Sequence, residues 1–329
     1  MLPKENKNNS SDKQVISYDL GSDEDLPASI LKNQNSKENL FHHSFHIQFK
    51  KHKSIIWINN PQYRFDLVPL EDYNKLFLRG LPIFITSCNN DLAQFFSQNK
   101  FESLKAGKEA VLNLSGDHFS KKSLKELIRA GFRNGDIEEI FYSEENSKKL
   151  DEFKLQCVHG KEPQLKHFFN DKFLPISRLF IYKDKNENWF GGILITPKGK
   201  GKVITDLILR REHSPRGTME SLIYFIANLL KDEGNDTWSL GEVPYVVSSS
   251  RIFSKEFFIN FMGRRLRYAY NYLGLYNFKN KFNPDWEDIY ICCKPKLTLI
   301  TLLKISWLSN LAELILEKTY KRVLLLFGK

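Results

Sequence analysis

The sequence predicts an α/β fold with mixed, largely antiparallel sheets, and three observations carry that prediction. LPIFITSC (81–88) is a short apolar run of the length and composition of a buried strand. FSKKSLKELIRAGFRNG (119–135) and TMESLIYFIANLLKDEG (218–234) keep a helical period of apolar residues. RLFIYKDKNENWFGGILITPKGKGKVITDLILRR (178–211) alternates as successive antiparallel strands, with turns at KDKNEN and PKGKGK. Strand groups followed by helices, twice over, give each half of the chain its own mixed sheet.

Residues 1–38 are rich in Asn, Ser, Lys, Asp and Glu and poor in aromatics, the composition of a disordered tail. Ordered structure is expected from LFHHSFHIQF (40–49). His42, His43 and His46 there have no fourth ligand or acidic partner spaced around them, so they read as strand- or helix-edge histidines and no metal is expected. NNDLAQFFSQNKF (89–101) reads as a helix started at Asp91, with Leu92, Phe95 and Phe96 on one face. EAVLNL (109–114) and TWSLGEV (237–243) read as strands. The helix of 119–135 turns Leu124, Leu127 and Ile128 inward and Lys121, Lys122, Lys125 and Arg129 outward. In the helix of 218–234, Met219, Leu222, Ile223, Ile226 and Leu230 line the inner face and Gly234 ends it.

The net charge of +10 lies in the body, because the first forty residues hold five Lys and Arg against seven Asp and Glu. Such an excess favours anionic partners: nucleic acid, acidic lipid or phosphorylated ligands. Cys88, Cys157, Cys292 and Cys293 have neither zinc spacing nor a disulfide framework. No apolar leader opens the chain, and no uncharged run reaches the ~18 residues of a membrane span, so a cytoplasmic protein is expected.

Chemistry is expected in DLILRREHSPRGTMESLIYFIANLLKDEG and WSLGEVPY, a strand, a Pro/Gly turn, a helix and a further strand. A turn that opens a helix offers unpaired backbone N–H groups and a positive dipole end to an anion. The turn here is HSPRG; Arg216 adds a cation, and Gly217 and Thr218 begin the helix. By alternation, Asp206, Ile208 and Arg210 share one face of the strand, as a structural ion pair or a site pair. Glu242 lies at the end of the next strand, where ligands often bind.

This arrangement resembles the N-acetyltransferase-type (GNAT) fold, although the acyl-CoA phosphate loop of that superfamily is absent. From about Phe101 to Trp286 the chain is similar to the C-terminal catalytic domain of aminoacyl-phosphatidylglycerol synthases (phosphatidylglycerol lysyltransferases). The matching blocks come in order: FESLKAGKEAVLNL, FSKKSLKELIRAGFRNG, DLILRREHSPRGTMESLIYFIANLLKDEG, WSLGEVPY and YNYLGLYNFKNKFNPDWE. Departures from the family pattern fall at Leu209, Arg267, Tyr276 and Glu242.

The resemblance implies two tandem GNAT-like domains, expected here over 39–175 and 176–295, the second catalytic. It implies transfer of an aminoacyl group from aminoacyl-tRNA to a hydroxyl of a membrane lipid such as phosphatidylglycerol. No cofactor is needed beyond the charged tRNA. Asp206 or Glu242 would supply the base or hold an ammonium group. Arg210, Lys279 or the turn backbone before Thr218 would stabilise negative charge. Tyr270 and Asn271 would line a substrate pocket, Lys279 and Lys281 would meet phosphate, and Phe282 would fix the loop beside the bound substrate. An acyl-CoA-dependent N-acyltransferase and a non-catalytic lipid- or RNA-binding module of the same fold are the alternatives. Residues 296–329 have helical apolar spacing, and 294–329 carry a net five positive charges. They read either as a helix packed on the core or as an interfacial helix on an anionic leaflet, peripheral at the inner membrane face.

Overall fold

A computed structural model of the protein describes residues 45–49, 53–59, 82–166, 172–198, 201–246 and 263–327. The expected tail over 1–38, and His42 and His43, lie outside the described residues.

The strands are β1 (Phe45–Phe49), β2 (Lys53–Asn59), β3 (Ile83–Cys88), β4 (Glu102–Asn113), β5 (Asp136–Ile140), β6 (Arg178–Lys183), β7 (Trp189–Pro197), β8 (Lys202–Arg210), β9 (Thr237–Pro244) and β10 (Asp285–Lys294). The helices are α1 (Asn90–Gln98), α2 (Lys122–Asn134), α3 (Glu144–Gln156), α4 (Thr218–Asp232), α5 (Tyr272–Asn280), α6 (Leu299–Leu308) and α7 (Leu311–Phe327). The strands form one ten-stranded sheet in the order β1-β2-β3-β10-β4-β9-β8-β7-β6-β5. All neighbours run antiparallel except β2 beside β3 and β8 beside β9. The α/β class with a mixed, largely antiparallel sheet is therefore what the chain builds.

Sheet order bears on the expected boundary at 175/176. β10 inserts between β3 and β4, and β4 pairs with β9. That boundary separates strands that share backbone hydrogen bonds, so the described strands of the two halves interleave in a single sheet.

Alternation in β6 shows how the sheet is covered. Phe180 and Tyr182 join the cluster under α2 and α4, whereas Leu179 and Ile181 join Leu150 and Phe153 of α3. Fully buried apolar side chains such as Leu222, Ile223, Ile226 and Trp238 each contribute ~1.5–3 kcal/mol relative to exposure. α1 is capped by Asn89, whose side chain accepts from the Leu92 N–H at 2.9 Å. α4 ends as its sequence predicts, with Gly234 at φ +82° just past the helix.

The C-terminal segment is two helices rather than one. Ser309 caps α6, and Asn310 at φ +60° turns the chain into α7. Leu297 and Ile305 pack with Phe84, Leu104 and Cys293, so one side of the segment belongs to the core. No helix among the described residues is long and apolar enough to cross a membrane.

A candidate acid–base site where two parallel strands part

β8 and β9 pair only from Lys202 to Ile204 and from Thr237 to Ser239. Beyond that point the strands diverge. A β-bulge accompanies the divergence: Val111 of β4 faces Ser239, but Glu109 faces Glu242, which leaves Leu240 and Gly241 opposite Ala110. Gly241 takes φ +89°, in the left-handed region that favours glycine. A polar chain holds the bulge. The Gly241 N–H donates to Ser239 Oγ at 3.0 Å, and Ser239 Oγ donates to Glu109 Oε1 at 2.5 Å. Trp238 Nε1 donates to Thr205 Oγ1 at 2.9 Å, and Thr205 Oγ1 donates to the Ser239 carbonyl at 2.8 Å.

Lys279, on the last turn of α5, reaches the opening. Its Nζ donates to the Glu242 carbonyl at 3.0 Å and would lie 3.4 Å from a Cβ at Gly241. Lys279 is only 3% exposed. Desolvation pushes its ammonium down to about 7, against the pull of Glu242 and Glu109. Glu242 moves the opposite way, up to about 7. Desolvation is the main cause and Glu109 adds to it, opposed by a hydrogen bond from Ser87 and by Lys198 and Lys279. An acid and a base thus sit together with both titrations near neutrality.

Glu109 pairs in register with Glu242 on one side and with Glu287 of β10 on the other. Three glutamates therefore stand side by side on three adjacent strands, an arrangement that repels itself unless cations answer it. Desolvation and then Glu109 raise the Glu287 carboxyl. Lys198 is buried nearby; desolvation lowers its ammonium, opposed by Glu109, Glu242 and Asp206. Tyr270 is half-buried, and burial, Tyr245 and Glu242 hold its phenol well above the usual range, so it remains a hydrogen-bond donor. This cluster can take up a cationic group, move one proton near neutral pH and stabilise a developing oxyanion.

Several expected site residues sit elsewhere. Asp206 is the bulged residue of β8: Leu207 faces Leu194 and Thr205 faces Ile195, leaving Asp206 between them. One extra residue reverses the alternation. Asp206 accepts from Thr196 Oγ1, which also contacts Ser177 Oγ at 3.0 Å. Ile208 packs on the α4 side, and Arg210, two residues on, follows it to that side as an exposed side chain. The shared face expected for Asp206 and Arg210 is therefore not formed.

At the opening of α4, Gly217 is buried against α2 and Thr218 against Gly191 of β7. A Cβ at Gly217, itself at φ +89°, would lie 2.0 Å from the Leu127 carbonyl oxygen. The Thr218 hydroxyl donates to the Pro215 carbonyl at 2.8 Å. This turn is pressed onto a neighbouring helix rather than opened to a ligand; Arg216 beside it is exposed. Lys281 pairs with Glu220 at 2.9 Å. Phe282, grouped with the substrate contacts, is 0% exposed between Phe119 and Phe278 and serves the core. Asn271 caps α5, accepting from the Gly274 N–H at 3.0 Å, and lines a groove of arginines.

Sequence reasoning passed over Glu109, Lys198 and Glu287. Lys198 lies in PKGKGK, which looks like a solvated turn, and Glu109 only opens an apolar strand. The one signal in reach was the PDWE run, where Glu287 stands between a turn and a strand.

The family described as "Phosphatidylglycerol lysyltransferase, C-terminal" matches residues 74–293. A phosphatidylglycerol lysyltransferase of Bacillus subtilis (strain 168) is 22% identical over 247 residues, covering 71% of this chain and 29% of that protein. The chain thus spans less than a third of that relative's length. The structure of L-PGS from Bacillus licheniformis superposes with a TM-score of 0.63 at 19% identity, over 79% of this chain and 82% of that one. The C-terminal domain of a putative lysylphosphatidylglycerol synthetase from Agrobacterium fabrum does so with a TM-score of 0.60 at 17% identity, over the same shares. At these identities the two structures establish the fold.

Proposed function

Because the chain belongs to the family of phosphatidylglycerol lysyltransferase C-terminal domains, we propose that it transfers an aminoacyl group from aminoacyl-tRNA to a hydroxyl of a membrane lipid such as phosphatidylglycerol. The observation that carries the reading is the buried Lys279, its Nζ on the Glu242 carbonyl at 3.0 Å where β8 and β9 part, with the Lys279 ammonium lowered and the Glu242 carboxyl raised to about 7. The ester of an aminoacyl-tRNA is already activated, so the site must orient it and handle one proton and one oxyanion.

In this reading, Glu242 as carboxylate takes the proton of the acceptor hydroxyl as its oxygen attacks the ester carbonyl carbon. The Lys279 ammonium and the Tyr270 phenol stabilise the tetrahedral oxyanion. The bond from the acyl carbon to the ribose oxygen then breaks, and the proton held by Glu242 passes to that oxygen. Glu109 and Glu287 favour the ammonium group of the aminoacyl moiety. The work falls at the inner membrane face, with charged tRNA supplied from the cytoplasm.

The test supplies each radiolabelled aminoacyl-tRNA in turn with phosphatidylglycerol vesicles and analyses extracted lipid by mass spectrometry. An aminoacylated lipid that disappears with Glu242→Gln is expected. Absence of product with every aminoacyl-tRNA, or product formed instead from an acyl-CoA, overturns the reading.

A further inference from the structure

We propose that α6 and α7, together with the arginine groove beside them, form a surface that seats the protein on an anionic lipid bilayer. Both helices are two-sided. Inward, Ile305 and Leu314 are buried. Outward, Ile300, Leu303 and Trp307 form one stripe along α6, exposed by 66%, 71% and 68%. Leu316, Tyr320 and Leu324 form a second along α7, exposed by 61%, 64% and 51%. Apolar side chains exposed singly are ordinary, but two helical stripes on consecutive helices mark an interaction surface.

The groove, about 550 Å³ in volume, is lined by Arg264, Arg265, Arg267, Tyr268, Asn271 and Arg322, with no carboxylate among these described lining residues. α7 helps build it: the Arg322 guanidinium lies 5.4 Å from the centre of the Tyr268 ring, and Tyr268 Oη shares a hydrogen bond of 2.7 Å with Thr319 Oγ1. Thr319 and Arg322 thus face the groove from the same turns of α7 that expose Tyr320 and Leu324. The family match ends at residue 293, so this surface joins the matched region to helices beyond it.

The chemistry selects the partner. Converging guanidiniums bind phosphate diesters. Apolar stripes beside an arginine-lined groove, with Trp and Tyr among them, suit the headgroup–acyl boundary. RNA would use the arginines but has no use for Ile300, Leu303, Leu316 and Leu324. A second copy in a twofold contact would set arginines against arginines.

The inference does not rest on the transfer reaction, and its test needs no turnover. The full chain is sedimented with vesicles of phosphatidylglycerol and phosphatidylcholine, or of phosphatidylcholine alone, with far-UV circular dichroism and Tm measured on every variant. Wild type is expected to partition onto the anionic vesicles and far less onto the neutral ones. Arg264→Ala and Arg322→Ala should each weaken partition roughly fivefold at low salt, and Leu303→Asp by about tenfold or more. Brominated lipid should quench wild-type fluorescence more than that of Trp307→Phe, a readout that does not depend on a disruptive change. The proposal fails if wild type stays in the supernatant with anionic vesicles at low salt. Wild-type partition by Leu303→Asp would also overturn it. So would arginine variants that lose tRNA binding while vesicle binding is untouched, or an apolar-stripe variant whose only change is loss of a dimer.

Discussion

The opening between β8 and β9 and the groove beside α7 are both rich in charge, yet the protein treats charge oppositely in the two places. Around Gly241, Lys279 and Lys198 are taken out of water and Glu109 and Glu242 are half-buried. Lys279 is 3% exposed and titrates near 7, as does Glu242. Around Tyr268, Arg264 and Arg267 remain exposed, beside apolar stripes that are exposed too. Desolvation is costly to the fold and makes an acid and a base usable at neutral pH. Solvated cations cost the fold little and act at longer range. On the proposed reading the first region serves chemistry and the second docking, and substitutions should tell them apart.

The largest contrast is expected at Glu242. Glu242→Gln should lower kcat for aminoacyl transfer roughly a hundred- to ten-thousand-fold, with vesicle binding unchanged. In the wild type, kcat/KM should be bell-shaped. Glu242 must be a carboxylate and Lys279 an ammonium, so one limb falls below about 7 and the other above about 7. A flat profile between pH 6 and 8 would remove both from the reaction.

Lys279→Met should lower kcat by roughly a hundred- to a thousand-fold, and its effect on stability carries a sign. The folded ammonium titrates near 7, below the usual lysine value, so the unfolded chain holds more protons between those two pH values. That contribution to stability is fully present at high pH and is lost as pH falls through 7. The raised carboxyl of Glu242 works oppositely: its contribution is present at acid pH and lost as pH rises through 7. The two together place a local minimum of stability near 7. Thermal unfolding against pH should show Lys279→Met at or above the wild-type Tm at pH 7, and a clear fall in Tm would show that the buried ammonium supports the fold.

Gly241→Ala should have a smaller effect, about 1–3 kcal/mol of stability for a non-glycine residue at φ +89°. Its Cβ would meet Lys279 Nζ at 3.4 Å, an ordinary contact, so the loss should fall on stability more than on kcat. The smallest effect is expected from Lys281→Met, two residues from Lys279. Its pair with Glu220 has a 45% exposed ammonium and is worth ~0–1 kcal/mol. Transfer kinetics and chemical denaturation of the two lysine variants side by side measure how much burial alone decides.

Local pattern by itself determined much of this protein. Helical periodicity marked α2 and α4, and the buried positions Leu124, Ile128, Leu222 and Ile226 are where it put them. Apolar runs between turns marked β3 and β6 to β8, and ordered motif blocks carried the family. These features are legible because they depend on neighbours within one or two turns of chain. What only the tertiary structure decided depends on the order of distant strands. Glu287, Glu109 and Glu242 stand together because β10 inserts beside β4 and β4 beside β9. Asp206 leaves the face expected for it because one bulged residue shifts every later side chain of β8, which the sequence pattern does not record. Lys198 resembles a solvated turn lysine in the sequence, and Lys279 stands out only through the family motif; both become buried, with lowered ammonium titrations, only when strands and a helix remote in the chain close over them and exclude water.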